Sequence, residues 1–251
     1  MSSLPAERRK VLGIEFFQGT AREAVQAMRG GGLLVVPAAP ALKDIDTHMG
    51  YREALLHADL ALADSSFMVL VWNRLQHDCM TRVSGLEYLR VLLEEPRVQT
   101  PGNTLWIMAD EVTAERNLSW LGGQGIYVPA ECVYLAPMYG EAVDDAALLE
   151  LVERLHPEDV IVTVGGGVQE RLGYFLKQRL SYLPSIHCVG AAIAFLSGAQ
   201  VKIPRWADKL YLGWLFRSCS EPSRFIPRYW SARKLLGLVH RYRENLPVST
   251  V

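Results

Sequence analysis

The sequence predicts an α/β fold: a Rossmann-like parallel sheet flanked by helices over residues 1–199, then a C-terminal basic-aromatic helical appendage over residues 200–251. Three observations predict it. Short apolar, β-branched runs alternate with longer amphipathic ones. Two of the short runs, residues 60–63 and 160–164, are apolar almost throughout, as strands covered on both faces are. Beyond Ala199 the composition changes to aromatics (Trp206, Tyr211, Trp214, Phe216, Phe225, Tyr229, Trp230) interleaved with Arg205, Lys209, Arg217, Arg224, Arg228 and Arg233. Pro204, Pro222 and Pro227 punctuate that segment into short helices.

In chain order, strands are expected at residues 11–17, 33–36, 60–63, 104–108, 160–164 and 186–189. Helices are expected at 20–28, 51–57, 66–74, 86–93, 113–121, 144–155 and 169–180. The clearest helix is 144–155, where Ala147, Leu148, Leu151, Val152 and Leu155 recur at helical spacing, with Glu150, Glu153 and Arg154 on the other face. His156-Pro157 ends it, because the residue before a proline avoids the α region.

The chain has 251 residues, 50% hydrophobic and 21% charged, enough to bury a core and too apolar for a disordered chain. Its net charge of −1 hides an asymmetry: residues 201–251 hold ten basic and three acidic residues, a balance of +7 against −8 for the rest. A nucleic-acid reader would spread positive charge over its reading domain, so no nucleic-acid partner is expected. Cys79, Cys132, Cys188 and Cys219 are far apart with no C-x-x-C spacing, which argues against a zinc ribbon or disulfide scaffold. Arg8, Arg9 and Lys10 precede an apolar run broken at Gly13 and Glu15, so neither a signal peptide nor a membrane span is expected there. No window approaches the roughly 18 apolar residues of a span. A cytoplasmic protein is expected.

Ligands of an open parallel sheet bind beyond the carboxyl ends of its strands, so residues directly after strands weigh most. Three loops qualify. Asp64, with Ser65, follows residues 60–63; its carboxylate is either a general base for a hydroxyl proton or the cap of a helix beginning at Ser66. Gly165-Gly166-Gly167-Val168-Gln169-Glu170 follows 160–164; its glycines allow close approach to a phosphate facing the next helix N-terminus, or form a tight structural turn. It is neither a full G-x-G-x-x-G nor a P-loop. Asp110-Glu111 follows 104–108 and either contacts a ribose or favours the positive end of the next helix. Asp44-Ile45-Asp46 resembles a metal-holding D-x-D but follows no clear strand, so a solvated helix start is expected. The six histidines form no H-x-H or H-x-x-x-H pair, and no G-x-S-x-G elbow occurs. The tail is either a satellite core or an interfacial anchor, with Trp and Tyr at headgroup level and Arg at lipid phosphate.

Several of these blocks together resemble the WecG/TagA/CpsF glycosyltransferases of bacteria. Arg52-Glu53-Ala54-Leu55, Ala58-Asp59-Leu60 and Asp64, then Thr81-Arg82-Val83-Ser84-Gly85, are similar to the family's A-D-L-x-x-x-D-G run and E-R-x-T/S-G box. Val164-Gly165 with Gln169-Glu170 resembles its G-x-G-x-x-x-Q-E loop. Pro204, Trp206, Trp214-Leu215, Arg217, Glu221-Pro222 and Arg224 resemble its P-x-W, W-L-x-R and E-P-x-R tail. The resemblance implies transfer of a sugar from a UDP-sugar to a polyprenyl-diphosphate-linked acceptor, inverting and metal-independent, with no cofactor, at the inner face of the plasma membrane during surface polysaccharide synthesis. It implies Asp64 as the base, Arg82, Arg217 and Arg224 as diphosphate partners, and Ser65, Gly165, Gly167 and Gln169 near the donor. Self-association at the tail hinge is also expected.

The chain departs from that pattern. Val36-Pro37-Ala38 stands where the family commonly has T-P-N, Ser65 replaces the glycine after the aspartate, Ala109-Asp110 replaces a G-G, and Gly213 a glutamate. Losing the Thr and Asn side chains removes hydrogen-bonding groups beside the implied acceptor site. These departures motivate two other readings: another donor or acceptor, or a non-catalytic relative that binds a nucleotide-sugar or a partner enzyme. The Gly165-Gly166-Gly167 loop alone motivates a third, a dinucleotide-dependent oxidoreductase.

Overall fold

The computed structural model describes residues 7–198, 216, 219–220 and 222–250; within the last stretch, the side chains of Pro222, Arg224, Phe225, Arg228 and Tyr229 are not described. Its centre is a sheet of eight strands: β1 (Arg8–Val11), β2 (Ile14–Phe17), β3 (Gly32–Val35), β4 (Leu60–Ala61), β5 (Thr104–Met108), β6 (Val133–Leu135), β7 (Asp159–Val162) and β8 (Ser185–Cys188). Their spatial order is β1-β2-β4-β3-β8-β7-β5-β6. Every pairing is parallel except β1 with β2. The Rossmann-like α/β class is the one the sequence predicts.

Side chains alternate across the sheet and build two cores. Leu33, Val35, Leu105, Ile107, Val160, Val162, Ile186 and Cys188 face one layer. Leu34, Val36, Trp106, Met108 and Ile161 face the other. Against the first layer pack α3 (Met49–Leu56), α4 (Ser66–Gln76), α8 (Ala146–Leu155) and α9 (Val168–Arg179). Against the second pack α1 (Ala21–Ala27), α5 (Gly85–Leu92), α7 (Glu111–Gly123) and α10 (Ala192–Leu196). The short helices α2 (Ala39–Leu42) and α6 (Pro96–Gln99) complete the order, with α11 (Pro222–Ser231) and α12 (Lys234–Tyr242) near the C-terminus.

Several expectations change on folding. Residues 11–17 are not one strand: Leu12 (φ 52°) and Gly13 (φ 83°) turn the chain, so the segment splits into the β1–β2 hairpin. Two consecutive residues with positive φ match the twist of antiparallel strands, and glycine accepts that conformation without strain. The edge strand β6 was not expected; it is three residues long, with only a half-buried pattern to mark it. Asp44 and Asp46 do not start a solvated helix. They lie in the turns after α2, where Asp46 is buried, pairs with Lys234 at 2.8 Å, and through its carbonyl accepts from the Thr250 amide.

Part of the expected appendage is woven into the domain. Leu235, Leu238 and Val239 of α12 are buried in the first core beside Met68, Val69 and Trp72 of α4. The chain then passes over the hairpin turn, where the amides of Leu12 and Gly13 donate to the carbonyls of Arg243 and Glu244. A Cβ on Gly13 would lie 2.8 Å from Leu246.

Candidate active site

Four adjacent strands, β4, β3, β8 and β7, end on one rim and release four loops there. Asp64 follows β4, Val36-Pro37-Ala38 follows β3, Gly190 follows β8, and the triple glycine follows β7. Helices α4 and α5 both start at this rim but pack on opposite faces of the sheet, so the space between their first turns is the crevice position where an open parallel sheet would hold a ligand. Asp64 stands in it.

Asp64 is not the cap of α4. Ser65 takes that position, its Oγ accepting from the Met68 amide at 3.1 Å. The Asp64 carboxylate is thus left to face across the crevice, where Oδ1 accepts from the Gly85 amide at 3.2 Å and lies 3.4 Å from Arg82 Nη2. Arg82 Nε donates to the Asp64 carbonyl at 2.7 Å. With side chains 27% and 13% exposed, Asp64 and Arg82 are neither sealed in the core nor freely solvated. Gly85 can sit this close because it has no side chain: a Cβ would meet Val36 Cγ1 at 3.2 Å and the Val189 carbonyl at 3.6 Å. The first turn of α5 therefore lies directly on the ends of β3 and β8. Tyr88, one turn further, donates to buried His187 Nδ1 at 2.8 Å, and His187 Nε2 meets Asp159 at 2.8 Å, which ties α5 to β8 and β7.

The glycine loop occupies the other side of the rim, three strand positions from Asp64, or about 14 Å at ordinary strand spacing. Gly165 and Gly166 are exposed with open space around them, and their amides find no acceptor among the described residues. At Gly167 the geometry is that of the tight-turn alternative. The residue has φ 90° and donates to the Glu170 carboxylate at 2.6 Å, an internal cap for α9. Glu170 is fully buried, and burial pushes its carboxyl up to about 7 against the amide donors that favour its ionised form. Gln169 is buried beside it, with Nε2 donating to Glu170 at 3.1 Å and Oε1 buried without a partner, facing Gly190. Arg171 braces the loop from below, donating to the carbonyls of Gly167, Gly140 and Glu141.

Asp110 stands apart. It ends β5, four strand positions or about 19 Å from Asp64, and caps α7 by accepting from the Thr113 amide at 2.8 Å. That bond holds its carboxyl below the usual range. The capping reading of Asp110 thus matches its geometry. Arg217 lies outside the described residues; Arg224 falls in α11, with its side chain outside them.

The helix N-termini at the rim are already capped from within: α4 by Ser65, α5 by Ser84 and by Asp64 on the Gly85 amide, α7 by Asp110, and α9 by Glu170. An anionic ligand here would find its countercharge in guanidinium groups such as Arg82 and in the open Gly165-Gly166 backbone. Sequence reasoning had Gly85 inside a motif but not its amide as the partner of Asp64. It also missed Glu170 as a cap, although a cap position followed three residues later by glutamate is a recognised spacing.

Residues 9–247 fit the model of the Glycosyl transferase WecG/TagA/CpsF family. No curated protein matches the chain.

Proposed function

The chain belongs to the WecG/TagA/CpsF glycosyltransferase family, and we propose that it moves a sugar from a UDP-sugar to a polyprenyl-diphosphate-linked sugar during bacterial surface polysaccharide synthesis. The observation that carries this reading is the Asp64 carboxylate, open to the crevice and held between the Gly85 amide and Arg82.

A sugar hydroxyl is a weak nucleophile. Asp64 accepts its proton as the oxygen forms a bond to the donor's anomeric carbon, while the bond from that carbon to UDP breaks on the opposite face and the configuration inverts. The proton later passes from Asp64 to solvent. Negative charge gathers on the departing diphosphate, where Arg82 stands beside the reacting centre and Arg217 and Arg224 of the tail are proposed to join it. Gly165 and Gly167 let the donor approach the rim closely, with Gln169 behind them, and no metal is required. Among the described residues no helix is long and apolar enough to cross a membrane. On this reading the lipid-linked acceptor is met at a membrane surface, to which the protein attaches peripherally.

The test is release of UDP from a panel of UDP-sugars in the presence of a polyprenyl-diphosphate sugar. Release that depends on the acceptor supports the reading. UDP binding with no release from any donor overturns it in favour of a non-catalytic binder, the reading suggested by Val36 and Ala38.

A further inference from the structure

Glu170 is an acid buried behind the glycine loop, and its two oxygens have separate tasks. Oε2 accepts from the Gly167 amide at 2.6 Å, one residue from the open Gly166 backbone. Oε1 faces the Gln169 side chain, whose Nε2 donates to it at 3.1 Å. Gln169 is itself buried, and its own Oε1 has no partner and points toward Gly190 at the end of β8. Glycine leaves that side of the amide uncovered: a Cβ at position 190 would lie 3.1 Å from Oε1 and 3.3 Å from Nε2.

This hydrogen-bond pattern belongs to an ionised Glu170, because a carboxylate only accepts and so draws the amide nitrogen toward itself. A proton on Glu170 reverses it. The Gly167 amide already occupies Oε2, so the proton sits on Oε1 and donates to the Gln169 amide. The amide then turns over, its oxygen meeting the proton and its NH2 taking the place beside Gly190. In the ionised state the group left for a ligand is an acceptor; in the neutral state it is a donor. An anion has no hydrogen to give, so only the neutral state offers it a partner there. Charge acts in the same direction, since a carboxylate one residue behind Gly166 repels an anion on the open Gly165 and Gly166 amides.

We infer that a diphosphate landing on the Gly165-Gly166 backbone brings a proton onto Glu170 and turns the Gln169 amide, so that donor binding is coupled to proton uptake. The inference rests on the proposed function for its ligand and adds a proton to the binding step. The free protein is poised for it, because burial already raises the Glu170 carboxyl to about 7. Other ionisable groups face Glu170 from the elements around it. Tyr51 of α3 and Cys188 of β8 are buried, and desolvation with the Glu170 charge holds the phenol and the thiol protonated. Arg171, beside it on α9, turns its guanidinium to the carbonyls of Gly167, Gly140 and Glu141. Asp44 and Glu141 act at one remove, on Tyr51 and Arg171.

The test is calorimetric titration of the full chain with UDP-glucose and UDP-N-acetylglucosamine, whose diphosphate keeps a constant charge between pH 6 and 8. With a coupling of about one pK unit, affinity should be about fivefold higher at pH 6 than at pH 8. At pH 7.5 about half a proton should be taken up per ligand, read from the heats in buffers of different ionisation enthalpy. Glu170→Gln keeps an oxygen for the Gly167 amide and points its NH2 at the Gln169 oxygen, as the neutral acid does. It should bind at both pH values with the affinity the parent has at pH 6, and without proton uptake. In the free parent, the Gln169 side-chain nitrogen resonance, assigned by its loss in Gln169→Leu, should titrate with a midpoint near 7. In Glu170→Gln it should stay fixed. Affinity independent of pH overturns the inference, as does a Gln169 resonance that does not titrate; UDP release would still leave the transferase reading standing. Proton-coupled binding with no UDP release upholds the inference and ends the transferase reading instead. UDP-sugars that bind at neither pH overturn both.

Discussion

Asp64 shows how one side chain is set aside for chemistry by its neighbours. Ser65 caps α4, which frees the aspartate from that task, and the Gly85 amide holds its carboxylate toward the crevice. Asp64→Asn keeps the shape and the acceptor oxygen but cannot take a proton. Turnover should fall by about 10²–10⁴-fold, while UDP affinity measured by calorimetry stays within a few-fold; unchanged turnover would remove Asp64 from the mechanism. Glu170 makes a second residue-scale prediction. Its folded pKa of about 7 is raised above the unfolded carboxyl range, so the folded state holds the proton more tightly. The burial cost is therefore absent at pH values below the unfolded pKa. It grows as pH rises through the interval between the two, and is complete above about 7. Glu170→Gln keeps an oxygen for the Gly167 amide and should abolish this dependence. The stability of the variant relative to the parent should rise by about 2–3 kcal/mol between pH 4.5 and 7.5 in urea titrations, and a flat difference would refute the assignment.

At the scale of elements, the rim is built by close approach. Helix α9 lies on β3 and β8 through Gly173, where a Cβ would come within 2.6 Å of Cys188 Sγ and 2.7 Å of Leu33 Cδ1. Gly173→Ala must push the helix off the sheet and should cost about 1–3 kcal/mol, seen as an earlier urea midpoint with unchanged slope. The same shift moves Gln169 and the glycine loop, so donor KM should rise alongside the loss of stability. Helix α5 is fixed differently, by the buried Tyr88–His187–Asp159 chain. Tyr88→Phe leaves the His187 ring without that donor inside the core and should cost about 1–3 kcal/mol, again readable by urea titration. Helix positions were well legible in sequence because amphipathic spacing over two or more turns survives context. The hairpin at Leu12-Gly13 and the edge strand β6 were not, since a short apolar run carries no period of its own.

For the whole molecule, the C-terminal residues have two relations to the domain. Residues beyond Ala199 begin as the basic, aromatic stretch the sequence sets apart, yet α12 and the segment to Thr250 pack onto α4, the hairpin turn and Asp46. A chain ended after Ala199 should therefore lose stability. It uncovers Met68, Val69 and Trp72, and should unfold at a lower temperature or aggregate, as differential scanning calorimetry would register.

The amino-acid order alone determined the α/β class, most helices, the strands of the sheet interior and the loops that matter, because burial on two faces and helical periodicity are written in local composition. It also brought Asp64, Arg82, Gly165 and Gln169 to notice through their places after strands and within recurring motifs. Only the tertiary structure decided which of two adjacent residues caps α4 and which faces the crevice. It alone showed that Glu170 occupies the amide expected for a ligand, and that Asp110 stands a full strand beyond the glycine loop. Those outcomes depend on contacts between segments far apart in the chain, such as Asp64 with Gly85 and Asp46 with Lys234, and no local pattern encodes a distance across the fold.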